Sequence, residues 1–208
     1  MRHWGGPSDR RGYHHGNLKE ALVEAARRFI AERGLLGFTL VEAAKLVGVT
    51  PAALYRHFRG REDLVAEVAF RGFTQLAERL ARALAGSGTP LERFTRMGEA
   101  YLDFAEKEPG YYAAMFSARP ADENPPDGAA PPDSAFGLLV DALKKTFPDG
   151  FGSVDPRFVA LEVWALSHGI AMLDAAGQLP RGPGLPTKHD LLRAGVLALV
   201  HGATAPKR

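Results

Sequence analysis

The sequence predicts an all-α fold, with a small N-terminal helical module followed by a larger helical domain. Three observations carry that reading. Helix start and stop signals recur along almost all of the 208 residues. No segment holds a period-two alternation between turn residues, and apolar residues return at three- and four-residue spacing. With 46% hydrophobic residues the chain buries a core of its own. Having no cysteine, it does so without disulfides, thiolate nucleophiles or sulfur-ligated metals.

Asn17 with Glu20 reads as a capping box that opens a first helix ending near Gly34, its apolar face being Leu18, Leu22, Ala25, Ala26, Phe29 and Ile30. Thr39 with Glu42 opens a short second helix that Gly48 stops. Thr50 caps a third, with Pro51 at the first position, where a missing N–H costs nothing. A fourth helix runs from about Arg61 to the turn "GSGTP", in which Thr89, Pro90 and Glu92 spell the start of the fifth, ending near Pro109. "PGYYAAMFSA" makes a short aromatic helix. The following "RPADENPPDGAAPPD", with five prolines and four acids, is expected to be a poorly ordered loop over about 119–133. A helix from about Ser134 to Phe147 comes next, then a long one begun by Asp155 and Pro156 and running to Gly177. Thr187 with Asp190 caps the last. Eight or nine helices result, with no internal repeat.

The formal net charge of +2 conceals an asymmetry: residues 1–61 carry net +6 and the remainder net −4. A basic end of this kind suits a polyanion. No apolar run approaches the roughly 18–20 residues of a membrane span, and the opening "MRHWGGPSDRRGYHHGN" lacks the apolar core of a signal peptide. A cytoplasmic location with no membrane partner is the expectation.

The stretch "LVEAAKLVGVTPAALYRHF" has a helix that ends at a glycine, a turn of about three residues and a capped second helix, which is the sequence form of a helix-turn-helix. Ala44 is small enough for the two helices to cross closely, and Gly48 supplies the left-handed turn residue. Val49, Leu54 and Phe58 face back into the three-helix core. The outward face is then Thr50, Ala52, Ala53, Tyr55, Arg56, His57 and Arg59, a set suited to phosphates and base edges.

The run G-V-T-x-x-x-L-Y-x-H-F-x-x-R-E-x-L, with a capped amphipathic helix some 30 residues upstream, resembles the DNA-binding domain of the TetR family of bacterial transcriptional regulators over about residues 12–65. "GYHHGNL" before the first helix and "WALSHG" in the long late helix are similar to one subgroup, whose ligand domain carries a W-x-x-x-H-G motif. The resemblance implies a homodimer holding a double-stranded DNA operator. Residues 1–16 would form a basic flexible arm, 17–60 the helix-turn-helix domain and 61–208 a helical ligand-binding and dimerisation domain. It further implies that Tyr55 and His57 bind phosphates, that Arg61 stands where the family usually has lysine, and that Thr39 and Thr50 lie at the DNA-facing ends of their helices. Pro51, Ala52 and Ala53 occupy positions that would reach base edges, yet none has a side-chain hydrogen-bonding group. Readout is therefore reduced to apolar contact with thymine methyls and to Arg56 as the one long donor able to reach guanine. Arg10 and Arg11 either add minor-groove contacts or only add charge.

Residues beyond 61 exceed what holding DNA requires. Aromatics and methionines recur there at helical spacing, and Met97, Tyr101, Phe104, Tyr112, Met115, Phe116, Trp164 and His168 read either as core or as the wall of an apolar pocket with a few polar tips. The pocket reading implies a small hydrophobic effector that releases the operator. Its alternative is an architectural or constitutive DNA-binding regulator with no small-molecule ligand. Val159, Val163, Leu166, Ile170, Leu173, Leu191, Leu192, Val196, Leu199 and Val200, together with the small Gly169 and Gly195, suggest that the last two long helices pair with a second copy. An enzyme is not expected: there is no G-x-S-x-G elbow, H-E-x-x-H, P-loop or dinucleotide fingerprint. The seven histidines show no metal spacing, so neither metal nor cofactor is anticipated.

Overall fold

The computed structural model describes residues 18–117 and 133–204; Arg10, Arg11, Asn17 and the 119–132 stretch lie outside them. Among the described residues there are nine helices and no strand: α1 (Leu18–Arg33), α2 (Leu40–Val47), α3 (Pro51–Tyr55), α4 (Arg61–Ala85), α5 (Pro90–Lys107), α6 (Pro109–Ser117), α7 (Asp133–Thr146), α8 (Pro156–Ala175) and α9 (Lys188–Thr204).

Local chemistry sets most of the boundaries. α1 buries Leu22, Ala25, Ala26, Phe29 and Ile30 and ends where Gly34, at φ 75°, donates its N–H to the Ile30 carbonyl. α2 opens on a capping box: the Thr39 hydroxyl accepts from the Glu42 N–H at 3.2 Å, and the Glu42 carboxylate accepts from the Thr39 N–H at 2.8 Å. The same device starts α5 (Thr89, Glu92) and α9 (Thr187, Asp190). Asp155 caps α8 by accepting from the Arg157 N–H at 2.8 Å.

One hydrophobic core runs from Leu22 to Val200, and α4 is the shaft through it. Its first half is tied to α1 by Lys19–Glu67 and by Arg71, which pairs with both Glu20 and Glu67. Further along, α4 meets α5, α6 and α7, with α6 packed on Gly72 near its middle. α6 is wedged between α1 and α4, while α8 packs on α5, α7 and α9. Lys188, nearly buried, joins Glu106 at 2.6 Å and Asp174 at 3.0 Å, strapping the start of α9 to α5 and α8.

Two expectations are revised here. α8 is long and apolar enough to cross a membrane, with a mean hydropathy of 1.3. Of that window, 33% is buried in the core, through Val159, Ala160, Val163, Ile170 and Ala171. The apolar residues expected to meet a second copy are likewise largely used inside the chain. Val159, Val163, Ile170, Leu192 and Val200 are buried, and Gly195 packs on Leu166. On α8, Leu173 and Gly169 of that expected face stay open to solvent, and the exposed apolar surface beside them is Phe158, Leu161 and Met172. Residues 158, 161, 165, 169 and 172 follow helical spacing, so these side chains form a stripe.

Candidate functional site

The α2–turn–α3 unit is built by its turn. Gly48 sits at φ 78° and donates to the Lys45 carbonyl, while the Val49 N–H donates to Ala44 at 3.0 Å, which together make a Schellman closure. Thr50 then starts α3 by accepting from the Ala53 N–H at 3.3 Å. α3 has five residues and one buried side chain, Leu54, followed by Phe58 in the next turn. That anchoring turns Thr50, Pro51, Ala52, Tyr55, Arg56, His57 and Arg59 to solvent, with Ala53 half-buried. Thr39 is exposed too, but its hydroxyl both accepts from Glu42 and donates to that carboxylate at 2.9 Å, so it is committed to the cap.

The start of α4 lies beside this face. Gly60, its N-cap, has no side chain to accept from the first-turn N–H groups, and no other side chain caps them. A 25-residue helix with an uncapped N-terminus attracts an anion. Glu62 and Asp63 offset that dipole in the first turn, and Asp63 also accepts from the Arg59 N–H at 3.0 Å. The Arg61 guanidinium does not extend outward. It lies over the Phe38 ring at 5.1 Å, with Nε and Nη2 buried and lacking a hydrogen-bond partner among the described residues. To reach a phosphate it must turn off that ring.

In the larger helical part, α4, α5, α7, α8 and α9 line a partly open cavity of about 140 Å³. Of the eight residues read from the sequence as pocket wall, Met97, Tyr101 and Trp164 line it. The other five lie outside its lining. Tyr112, Phe116 and His168 form an aromatic cluster that reaches the cavity through Tyr101. The Tyr101 and Tyr112 hydroxyls are 3.1 Å apart, the Tyr112 hydroxyl is 2.8 Å from His168 Nδ1, and the Phe116 ring stands 4.2 Å from the imidazole. Phe104 is fully buried beneath the Arg79 guanidinium, and Met115 fills the space opposite Gly72 on α4. The wall from α9 (Leu192, Arg193, Val196) and the polar Thr95 and Glu99 on α5 went unread in sequence. The signal for α9 was present, since Leu192 and Val196 are spaced for one helix face, but that face was assigned to a second copy.

Burial pushes the Tyr112 phenol up to about 12, pushes Tyr101 further up, and pushes His168 below the ordinary imidazole value. His168 is therefore neutral in the folded protein at pH 7. Between the ordinary value near 6.5 and the lower folded value, the unfolded chain binds the proton first, so stability falls as pH falls through that window. Thermal melts should show a decline from pH 7.5 to 5.5, and His168→Gln should flatten it. An unchanged slope in that variant would remove His168 as the cause. Carboxylates held low by their cations, such as Glu24 by Arg27 and Asp174 by Arg181 and Lys188, add their loss only at lower pH.

α6 connects this cluster to the helix-turn-helix. Gly110 packs so closely on α1 that a Cβ there would stand 2.2 Å from the Arg27 carbonyl oxygen. Glu108, just before it, accepts from Arg79 of α4 at 2.6 Å and lies 3.7 Å from Arg27 of α1. Arg27 in turn covers the Tyr111 ring at 5.4 Å.

Comparison with known proteins agrees with both halves of this arrangement. Residues 22–68 match the family described as bacterial regulatory proteins, tetR family, and residues 94–200 match the tetracyclin repressor-like C-terminal domain. The chain belongs to the TetR family of transcriptional regulators. It is 33% identical over 102 residues to the uncharacterized HTH-type transcriptional regulator YobS of Bacillus subtilis, a match covering 48% of this chain and 51% of YobS, so the chain spans about half the length of that relative. It is 28% identical over 159 residues to the HTH-type regulator Rv0681 of Mycobacterium tuberculosis, covering 76% of this chain and 71% of that protein. A solved structure of a protein of unknown function from Rhodococcus sp. RHA1 superimposes with a TM-score of 0.73 at 30% identity, over 93% of this chain and 98% of the other. Its TetR membership makes this chain a DNA-binding regulator with a helix-turn-helix.

Proposed function

We propose that this TetR-family chain is a homodimeric repressor that leaves its operator when a small hydrophobic molecule enters the α4–α5–α7–α8–α9 cavity. The carrying observation is the continuous path from the cavity to α1 and α4, the helices that flank the helix-turn-helix. Tyr101 and Trp164 line the cavity, Tyr101 is hydrogen-bonded to Tyr112 of α6, and α6 rests through Gly110 on α1 and through Met115 on Gly72 of α4. A ligand that displaces Tyr101 has differential contact with two positions of α6. That is what a population shift between DNA-holding and DNA-releasing dimers requires. In this reading residues 17–60 hold DNA and 61–208 bind the effector and the second copy. The exposed stripe of Phe158, Leu161, Met172 and Leu173 on α8 supports the pairing, because two copies packed there bury it in a four-helix interface with α9.

On the DNA, Tyr55 and His57 bind phosphates beside the open start of α4, and Arg61 joins them once off Phe38. Arg56 reads the base pair it reaches, and Pro51, Ala52 and Ala53 contribute apolar contact. Tyr55→Phe and Arg61→Ala are expected to weaken operator and scrambled duplexes equally. Arg56→Ala should relax preference at one base pair by about 1–3 kcal/mol. Anisotropy titrations of both duplexes at one fixed salt concentration test this, and equal loss on both for Arg56→Ala would remove its reading role.

A further inference from the structure

Size and polarity together narrow the effector. A cavity of about 140 Å³ is small for a metabolite site. An apolar protein cavity of about 150 Å³ holds one benzene ring, whereas pockets for larger ligands are about 300–1,000 Å³. Its inner wall is Leu80, Phe94, Met97, Leu139, Val163 and Trp164. The three hydroxyls that line it are engaged within the protein, Ser167 to the Val163 carbonyl at 2.7 Å, Thr95 to Leu91 at 2.9 Å, and Tyr101 with the Tyr112 hydroxyl at 3.1 Å. Ser167 and Thr95 do not donate into the cavity, and the Tyr101 hydroxyl is taken up by Tyr112, so a carbonyl or carboxylate pointed inward finds no free donor from them.

Charge is confined to the α5–α9 side. There Glu99 and Arg193 line the cavity 3.6 Å apart, beyond hydrogen-bonding distance, with side chains 42% and 54% exposed, and His189 lines it beside them with its Nε2 turned toward Asp103 at 3.6 Å. A carboxylate bound between them would satisfy Arg193 and repel Glu99; an ammonium would do the reverse. A neutral hydroxyl accepts from the guanidinium, donates to the carboxylate and leaves the pair balanced.

The geometry points to an effector with an apolar body of one six-membered ring or about six to eight carbons, inserted body first, and one neutral hydroxyl-type group held between Glu99 and Arg193. This rests on the reading of the chain as a ligand-released repressor. It adds a length limit and excludes charged heads.

Trp164 supplies a direct readout. The chain has two tryptophans, and Trp4→Phe leaves Trp164 alone. Titrating that protein with benzyl alcohol and with straight-chain 1-alkanols from butanol to dodecanol should change Trp164 fluorescence. Affinity should rise by roughly fourfold per added methylene to about six to eight carbons, then level or fall as the cavity fills. Hexanoate and hexylamine should bind at least tenfold more weakly than hexanol. Glu99→Gln should recover hexanoate binding and Arg193→Gln hexylamine binding, both being exposed changes that leave the core intact. A gain that continues to dodecanol, or equal affinity for hexanol and hexanoate, would overturn the assignment. The same samples added to a labelled operator duplex separate this from the release reading. A Trp164 response with the expected length limit while DNA stays bound supports the cavity assignment and removes the release mechanism. Release by a molecule to which Trp164 is blind overturns the cavity assignment and leaves release standing.

Discussion

Leu54→Ala is expected to destabilise the protein by about 2–5 kcal/mol and to lower operator affinity more than any exposed substitution on α3. A five-residue helix cannot hold itself together in water. α3 persists because Thr50 caps it and because Leu54, with no exposed surface, pins it to the core. Removing three heavy atoms of packing at the one buried residue of α3 frees the element that carries Tyr55 and Arg56. Chemical denaturation and duplex titration on the same variant measure both effects. Native-like stability with native-like affinity would show that Phe58 and the turn suffice to place the reading face.

The second large effect is expected at Gly110. In Gly110→Ala the new methyl would sit 2.2 Å from a backbone oxygen of α1, a contact that a side-chain rotation cannot relieve. α6 must back away from α1, at a cost of about 1–3 kcal/mol from overpacking, and the Glu108 contacts to Arg79 and Arg27 change with it. DNA binding should survive, because α2 and α3 are untouched. The ligand response should fall at least tenfold, because displacement of α6 no longer reaches α1. A variant that folds, binds operator and is still released normally would mean that the signal bypasses α6, leaving α4 as the route.

Much of this architecture was legible because its punctuation is local. Thr39/Glu42, Thr89/Glu92 and Thr187/Asp190 each state a helix start within four residues, and Gly48 states a left-handed stop. Such signals depend on backbone chemistry that needs no knowledge of the rest of the fold. The exposed face of α3 was legible for the same reason, since Leu54 and Phe58 are spaced to face inward together. The cavity was only partly readable. Met97, Tyr101 and Trp164 line it, yet Tyr112, Phe116 and His168, of the same residue types and spacing, close into a packed hydrogen-bonded cluster instead. Periodicity marks which side of a helix is inward; it does not say whether the space met there is filled. Arg61 shows the same gap at the DNA face. Its position at the start of α4 follows from sequence, but its stacking on Phe38, 23 positions earlier, is a tertiary contact. Glu108 and Gly110 drew no notice as coupling residues because what matters at each is the approach of α1, which only the packed fold reveals.

The central claim is that one dimer holds two DNA half-sites and lets go when the cavity fills. It is tested most directly by recovering the genomic fragments that the protein retains, and then titrating the best one by anisotropy with and without 1-hexanol, with light scattering on the same complex. The account predicts a duplex with two related half-sites about one helical turn, roughly 34 Å, apart. Two chains should bind it in preference to a scrambled duplex, and hexanol should release them at concentrations that also change Trp164 fluorescence. Retention without sequence preference, or a monomer bound to a single site and indifferent to every cavity-sized molecule, would contradict it.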